Sequence, residues 1–147
     1  MTKSLLAAIT ALMLVLSANA FARDDHNLYS IAEAMNTENA KAVLNRGYTF
    51  KFAGQPHRKV VKRFGEFMSN KKTRAVGRTD KEACQHAFLS AMLSFQDRIA
   101  KEGGNAVINL HSYYRKENFK SSTQFMCGNG AIMAGVTFKG DVVTLAK

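Results

Sequence analysis

Residues 79–103 carry both ends of a helix and the stripe that must bury it, and no other segment restricts the fold as much. Thr79-Asp80-Lys81-Glu82 is a capping box, in which the Thr79 hydroxyl serves the Glu82 amide and the Glu82 carboxylate serves the Thr79 amide. Behind it Ala83, Ala87, Phe88, Ala91, Met92, Phe95 and Ile99 recur every three or four residues, which places them on one face. Gly103 stands where a left-handed cap is wanted, and Lys101 complements the negative helix end. The spacing predicts a helix over 80–102 whose apolar face needs a partner. At 147 residues and 46% hydrophobic content the chain can build one core, and it is too apolar to be disordered.

That partner is a sheet. Tyr48-Thr49-Phe50-Lys51-Phe52 alternates with period two and predicts a strand, closed by a turn at Gly54-Gln55-Pro56. Residues 60–68 alternate again, with Gly65 as a bulge or close approach. Residues 69–78 read as a basic loop. A strand is expected over about 105–114, then a polar turn to Ser122. A long strand over 123–138 contains Gly128, Gly130 and Gly135, and an edge segment follows over 141–145. Upstream, Leu28 to Leu44 reads as helical, with Thr37 as the N-cap of its second part. The expected architecture is α+β: an antiparallel sheet of about four strands, one long helix on one face, and short N-terminal helices.

The N-terminus reads as an address. Lys3 precedes an almost unbroken apolar run over 5–16, then Ser17-Ala18-Asn19-Ala20 and Phe21-Ala22, which is the pattern of a Sec signal peptide. Cleavage is expected after Ala20 or Ala22, with the second preferred, leaving a single exported domain over 23–147 with its core over about 48–140. The run is too short to span a bilayer, no cysteine near residue 20 offers a lipid anchor, and no later segment approaches spanning length. The expected compartment is the periplasm.

In such a compartment thiols oxidise, and Cys84 and Cys127 are the only two. Cys84 lies near the start of the long helix. The next strand runs back toward that end, and Cys127 lies early in the strand after it. The pair is predicted to form a disulfide closing a loop of about 40 residues, worth about 4 kcal/mol by chain entropy. The alternative is a metal-handling protein using Cys84, His111 and Cys127. His86 cannot join them, because two residues on a helix diverge by about 200° from Cys84. His26, His57 and His86 read as surface residues.

Little else carries chemistry. The segment from Gly130 to Thr137 has phosphate-loop spacing but no Lys, and it lies in a strand pattern, so no nucleotide or other cofactor is expected. Ser90 and Ser94 have no nucleophile-elbow context. No nucleophile, base and orienting group can be named together, and the reading is of a non-enzyme. The formal net charge of +10 does constrain partners. Arg58, Lys59, Lys62, Arg63, Lys71, Lys72, Arg74 and Arg78 form a candidate anion-binding surface, with Lys81, Arg115, Lys116 and Lys120 beyond it. Phe64, Phe67, Tyr113 and Tyr114 lie among them, as on a nucleic-acid surface. Export argues against nucleic acid, so the expected partners are an anionic envelope surface or an envelope protein.

Phe64-Gly65-Glu66-Phe67, the long helix, residues 104–112 and Gln124 to Ala131 together resemble the RcsF-like periplasmic domain of the Rcs-phosphorelay outer-membrane sensor lipoprotein, over about residues 60–140. Cys84 to Ala91, Ser94 to Arg98, Gly103 to Val107 and Ser112-Tyr113-Tyr114 are similar to a family of small exported proteobacterial proteins of unassigned function. Proteins of that family carry the label of an excinuclease ATPase subunit, for which no Walker motif exists here. The resemblance implies the fold. It does not carry the sensor function, because the cysteine that follows His-Ser in the sensor is Tyr113 here and the lipobox is missing. A related small fold described as heavy-metal-binding implies the metal alternative.

Overall fold

The computed structural model describes residues 23–147, so the expected signal peptide over 1–22 lies outside the described residues. The chain runs β1 (Asp25–Ser30), α1 (Ile31–Met35), α2 (Glu38–Val43), β2 (Thr49–Phe52), β3 (Val60–Arg74), α3 (Asp80–Glu102), β4 (Ala106–Ser112), a 3₁₀ turn (Tyr114–Lys116), β5 (Gln124–Asn129) and β6 (Met133–Leu145). It is an α+β fold in which one long helix packs on a curled sheet.

The sheet departs from the expected four antiparallel strands. It has six, and it is mixed, because β2 pairs parallel to β4. β6 is its axis. One edge of β6 pairs with β3 along its whole length. The other edge is shared: β5 takes its first residues, at Gly135 and Ala134, and β4 takes Phe138 to Val143. Where β4 and β5 part, the buried Ser112 hydroxyl accepts a hydrogen bond from the Met126 amide at 2.8 Å. A side chain thus replaces the ladder bond that the fork interrupts.

Three local expectations change. Residues 28–30 are strand rather than helix, because β1 pairs with β5 from Asp25↔Asn129 to Ser30↔Gln124. Only α1 and α2 are helical, α2 beginning at the Thr37 N-cap. The basic loop is strand as far as Arg74. The long strand over 123–138 is a hairpin, with β5 and β6 joined by residues 130–132 and β6 absorbing the expected edge segment. The bulge at Gly65 is present, with the register shifting between Arg63 and Gly65 and a φ of 123°.

α3 matches its reading in full, with both halves of the Thr79–Glu82 capping box made and Gly103 left-handed at the C-cap. Its stripe packs on the inner face of the sheet. Phe88 meets Phe125 at 4.7 Å and Phe138 at 5.6 Å between ring centroids, and Phe52 closes on Phe138 at 5.4 Å. Core packing extends beyond the expected 48–140, from Ile31 and Ala34 to Val142, while Ala106, Ile108, Val143 and Leu145 form a second small cluster.

Cys84 and Cys127 form a disulfide with a Cα separation of 5.9 Å and a sequence separation of 43. The path to it differs from the expectation. β4 and β5 are both antiparallel to β6, so they run the same way, and Cys127 lies late in β5 rather than near its start. Both still end toward the N-terminus of α3. Among the described residues no helix is long and apolar enough to cross a membrane. The disulfide is consistent with an exported protein.

Candidate anion-binding site

β3 places the basic residues singled out in the sequence, and it divides them. Arg58 and Lys59 precede the strand, and Lys62 and Arg63 lie before its bulge. Lys71, Lys72 and Arg74 lie at its other end. At about 3.3 Å per residue, Arg63 and Lys71 are about 26 Å apart. With a Debye length of about 8 Å at physiological ionic strength, the two groups act as separate patches rather than one surface. Arg78 joins neither as a free cation: its guanidinium turns back to donate to Thr73 Oγ1 at 2.9 Å and to the Arg74 carbonyl at 3.1 Å.

The second patch is split again by the pleat. Ser69 and Ala75 are buried and Lys71 and Thr73 half-buried toward α3, whereas Lys72 and Arg74 are exposed on the opposite, outer face. There Lys72 pairs with Gly135, and both its Cγ and the Tyr114 ring lie beside the space a Gly135 side chain would need. The Tyr114 phenol also fills the space where Gly128 has no side chain, so any Cβ at Gly128 would overlap its oxygen and the ring carbon that bears it. Two of the three glycines in the β5–β6 hairpin region are thus the floor on which an aromatic ring lies, not a phosphate cradle.

Around that ring the outer face collects further charge. Tyr114 donates to Asp24 at 3.1 Å, His26 meets its ring edge-on at 5.0 Å, and Arg115 pairs with Asp24 at 2.7 Å. Partial burial of Asp24 opposes its ionisation, but the Tyr114 hydrogen bond and the charges of Arg115 and His26 outweigh it and hold the carboxyl below its ordinary range. Burial, with the nearby Asp24 charge, pushes the Tyr114 phenol up. Lys139 lies 3.6 Å from the Tyr113 ring centroid and 3.8 Å from Glu66. Arg115 and Lys116 are both held at positive φ, 50° and 63°, a costly conformation for non-glycine residues. A shallow cavity of about 430 Å³ opens here, lined by Lys72, Tyr114, Arg115 and the hairpin tip. Lys72 and Arg74 form no ion pair among the described residues.

The metal alternative is not assembled. The Cys84 and Cys127 sulfurs are bonded to each other, and His111 is buried with its Nδ1 2.7 Å from the Asn109 carbonyl. Among the described residues no three His, Cys, Asp or Glu side chains are placed to hold an ion. What adjoins the disulfide is Asn129, which sequence reasoning missed. Fully buried, it donates from Nδ2 toward Cys84 Sγ at 3.1 Å and accepts at Oδ1 from Asn27 at 2.8 Å and Tyr29 at 3.2 Å. Arg115, read in the sequence among the basic residues beyond the candidate surface, is brought to the cavity beside Lys72 by the 3₁₀ turn, whereas Lys139, which sequence reasoning missed, lies farther along β6 opposite Met68. The nearest signal was the Tyr113-Tyr114-Arg115-Lys116 run itself.

No protein family, curated protein or solved structure matches this chain.

Proposed function

We propose that the protein is a non-enzymatic binding module of the periplasm, RcsF-like in fold, that attaches to anionic envelope surfaces through the outer face of β3 and the 3₁₀ turn. The observation that supports this reading is the position of Lys72 and Arg74. They are exposed on the outer face of β3, Lys72 beside the Tyr114 ring and Arg115, and neither has an acidic partner among the described residues. Charges fixed on a strand lose less freedom on meeting a surface than charges on a loop. A ring beside them supplies an amphipathic contact of the kind found at membrane interfaces.

The test is co-sedimentation with vesicles containing anionic phospholipid. Binding is expected to weaken as salt rises, since the Debye length falls from about 10 Å at 0.1 M to about 3 Å at 1 M. The double substitution Lys72→Glu, Arg74→Glu should abolish it with an unchanged melting temperature. Indifference of the parent protein to the vesicles at every salt concentration would remove the proposal.

A further inference from the structure

β3 presents an edge as well as a face. It hydrogen-bonds to β6 on one side only, and its other edge has no strand partner among the described residues. Its register shifts lie between Val60 and Lys62 and between Arg63 and Gly65, so pairing from Glu66 to Arg74 is regular. The bulge that spoils a strand edge as a template therefore protects only the first part. Beside the regular part, between β3 and α3, lies a groove of about 540 Å³. It is lined from Phe67 to Lys72 on the strand and from Ser90 to Lys101 on the helix. No residue of β6 lines it, so it opens on the strand's unpaired side.

The chemistry of the groove selects its occupant. Lys71, Arg98 and Lys101 line it, and Lys71 and Lys101 form no ion pair among the described residues. Arg98 is held with its guanidinium 4.6 Å from the Phe67 ring centroid and 3.4 Å from Glu102. The groove's one carboxylate, Asp97, is turned toward Arg46 at 3.5 Å. Ser69 also lines the groove, 5% exposed, and its hydroxyl has no hydrogen-bond partner. Phe67, Leu93 and Met68, the last 59% exposed, supply apolar wall. A second copy of β3 is a poor occupant, since it would bring the same lysines against these cations.

We infer that the unpaired edge of β3 over Glu66–Arg74 and the facing side of α3 form a docking groove for an extended acidic peptide segment of a partner protein, which adds as a strand to the sheet. Main-chain hydrogen bonds to β3 supply affinity. Side chains of the added strand alternate between the two faces: those turned toward α3 are acidic and meet Lys71, Arg98 and Lys101, and those turned to the outer face are apolar and meet the exposed Met68. The strand edge that lines the groove runs from Phe67 to Lys72, so the docked segment is about six residues, about 20 Å at about 3.3 Å per residue.

The experiment uses the disulfide-bonded protein and a fluorescent peptide of alternating Glu and Val. A control peptide has the same charge but proline at every second position, which keeps electrostatics and removes strand pairing. Saturable binding of the first peptide is expected, at least tenfold tighter than the control, with amide exchange slowed over 66–74. Arg98→Gln with Lys101→Gln should weaken it tenfold or more, and Lys101→Gln alone, at an exposed position, should weaken it severalfold without lowering the melting temperature. Arg115→Glu with Lys116→Glu, on the 3₁₀ turn of the vesicle surface and outside the groove lining, should weaken vesicle binding and leave peptide saturation and the slowed exchange in place, so either reading can fail alone. Equal binding of the two peptides, unchanged exchange over 66–74, or indifference to both helix substitutions would overturn the groove.

Discussion

At the scale of single residues the chain concentrates its polar investment at one end of α3. The Cys84–Cys127 bond closes 43 residues of chain, and by loop entropy its removal should cost about 2–4 kcal/mol. Urea unfolding of the Cys84→Ala, Cys127→Ala protein should show that loss with the fold retained. Thiol titration of the purified parent should find no free thiol, and two reactive thiols there would revive the metal alternative with His111. Asn129 makes the sharper case. Its amide serves Asn27, Tyr29 and Cys84 from a fully buried position. Asn129→Ala should cost about 1–3 kcal/mol, because the groups left behind cannot reach water. A loss below about 0.5 kcal/mol in the same urea assay would show that the network contributes nothing net. Nothing in the local sequence distinguished this Asn from a turn residue, since its role depends on three partners far away in the chain.

At the scale of elements, β1 is the one most dependent on charge. Arg23 pairs with both Asp25 and Asp80, tying the chain ahead of β1 to the first turn of α3, and Asp24 is held by Tyr114 and Arg115. The hydrogen bond from Arg23 holds the Asp80 carboxyl below its ordinary value of 3.8, and Asp24 is lowered from the same value. A carboxylate whose folded pKa is depressed stabilises the fold fully above its unfolded pKa and loses that contribution as pH falls through the folded value. The attachment of β1 should therefore be constant from neutral pH down to about 4 and loosen only below it. Amide exchange over 25–30, compared with 133–145 across that range, checks this. Loosening that already sets in between pH 5 and 7 would overturn the assignment of the attachment to these carboxylates. The helical reading of residues 28–30 failed at this same scale. Leu28, Ile31, Ala34 and Met35 have helical spacing, yet the backbone groups before Ser30 find a longer run of partners on β5.

At the scale of the whole molecule, the fork in the sheet sets what the surface can do. β6 is shared by three strands, and β3 is left at an edge with its basic residues about 26 Å apart in two groups. Because that distance exceeds the Debye length several times, charge reversal at Lys62 and Arg63 should not alter the vesicle affinity that depends on Lys72 and Arg74 at 0.15 M salt. A multiplicative loss on combining the two pairs would instead mean that both ends of β3 touch one surface. Vesicle titrations of the two double variants and the quadruple variant decide between these outcomes. The pleat adds a second division, since Lys71 is half-buried toward α3 while its neighbour Lys72 is exposed beside the Tyr114 ring.

Local chemistry alone determined α3 and the Thr37 cap, and it narrowed Gly65 to a bulge or close approach and the two cysteines to one possible pair. Caps, periodicity and a forced choice of thiol partner act over a few residues or leave one solution. The tertiary structure decided the rest. Strand or helix at β1, loop or strand at 69–74, one strand or two around Gly130, and the parallel β2–β4 pair all depend on which backbone groups find partners across the sheet. Arg98 and Lys101 read as the solvated side of a helix until β3 lies beside them. The candidate surfaces belong to the sheet's edge and fork, and pairing between distant segments creates both.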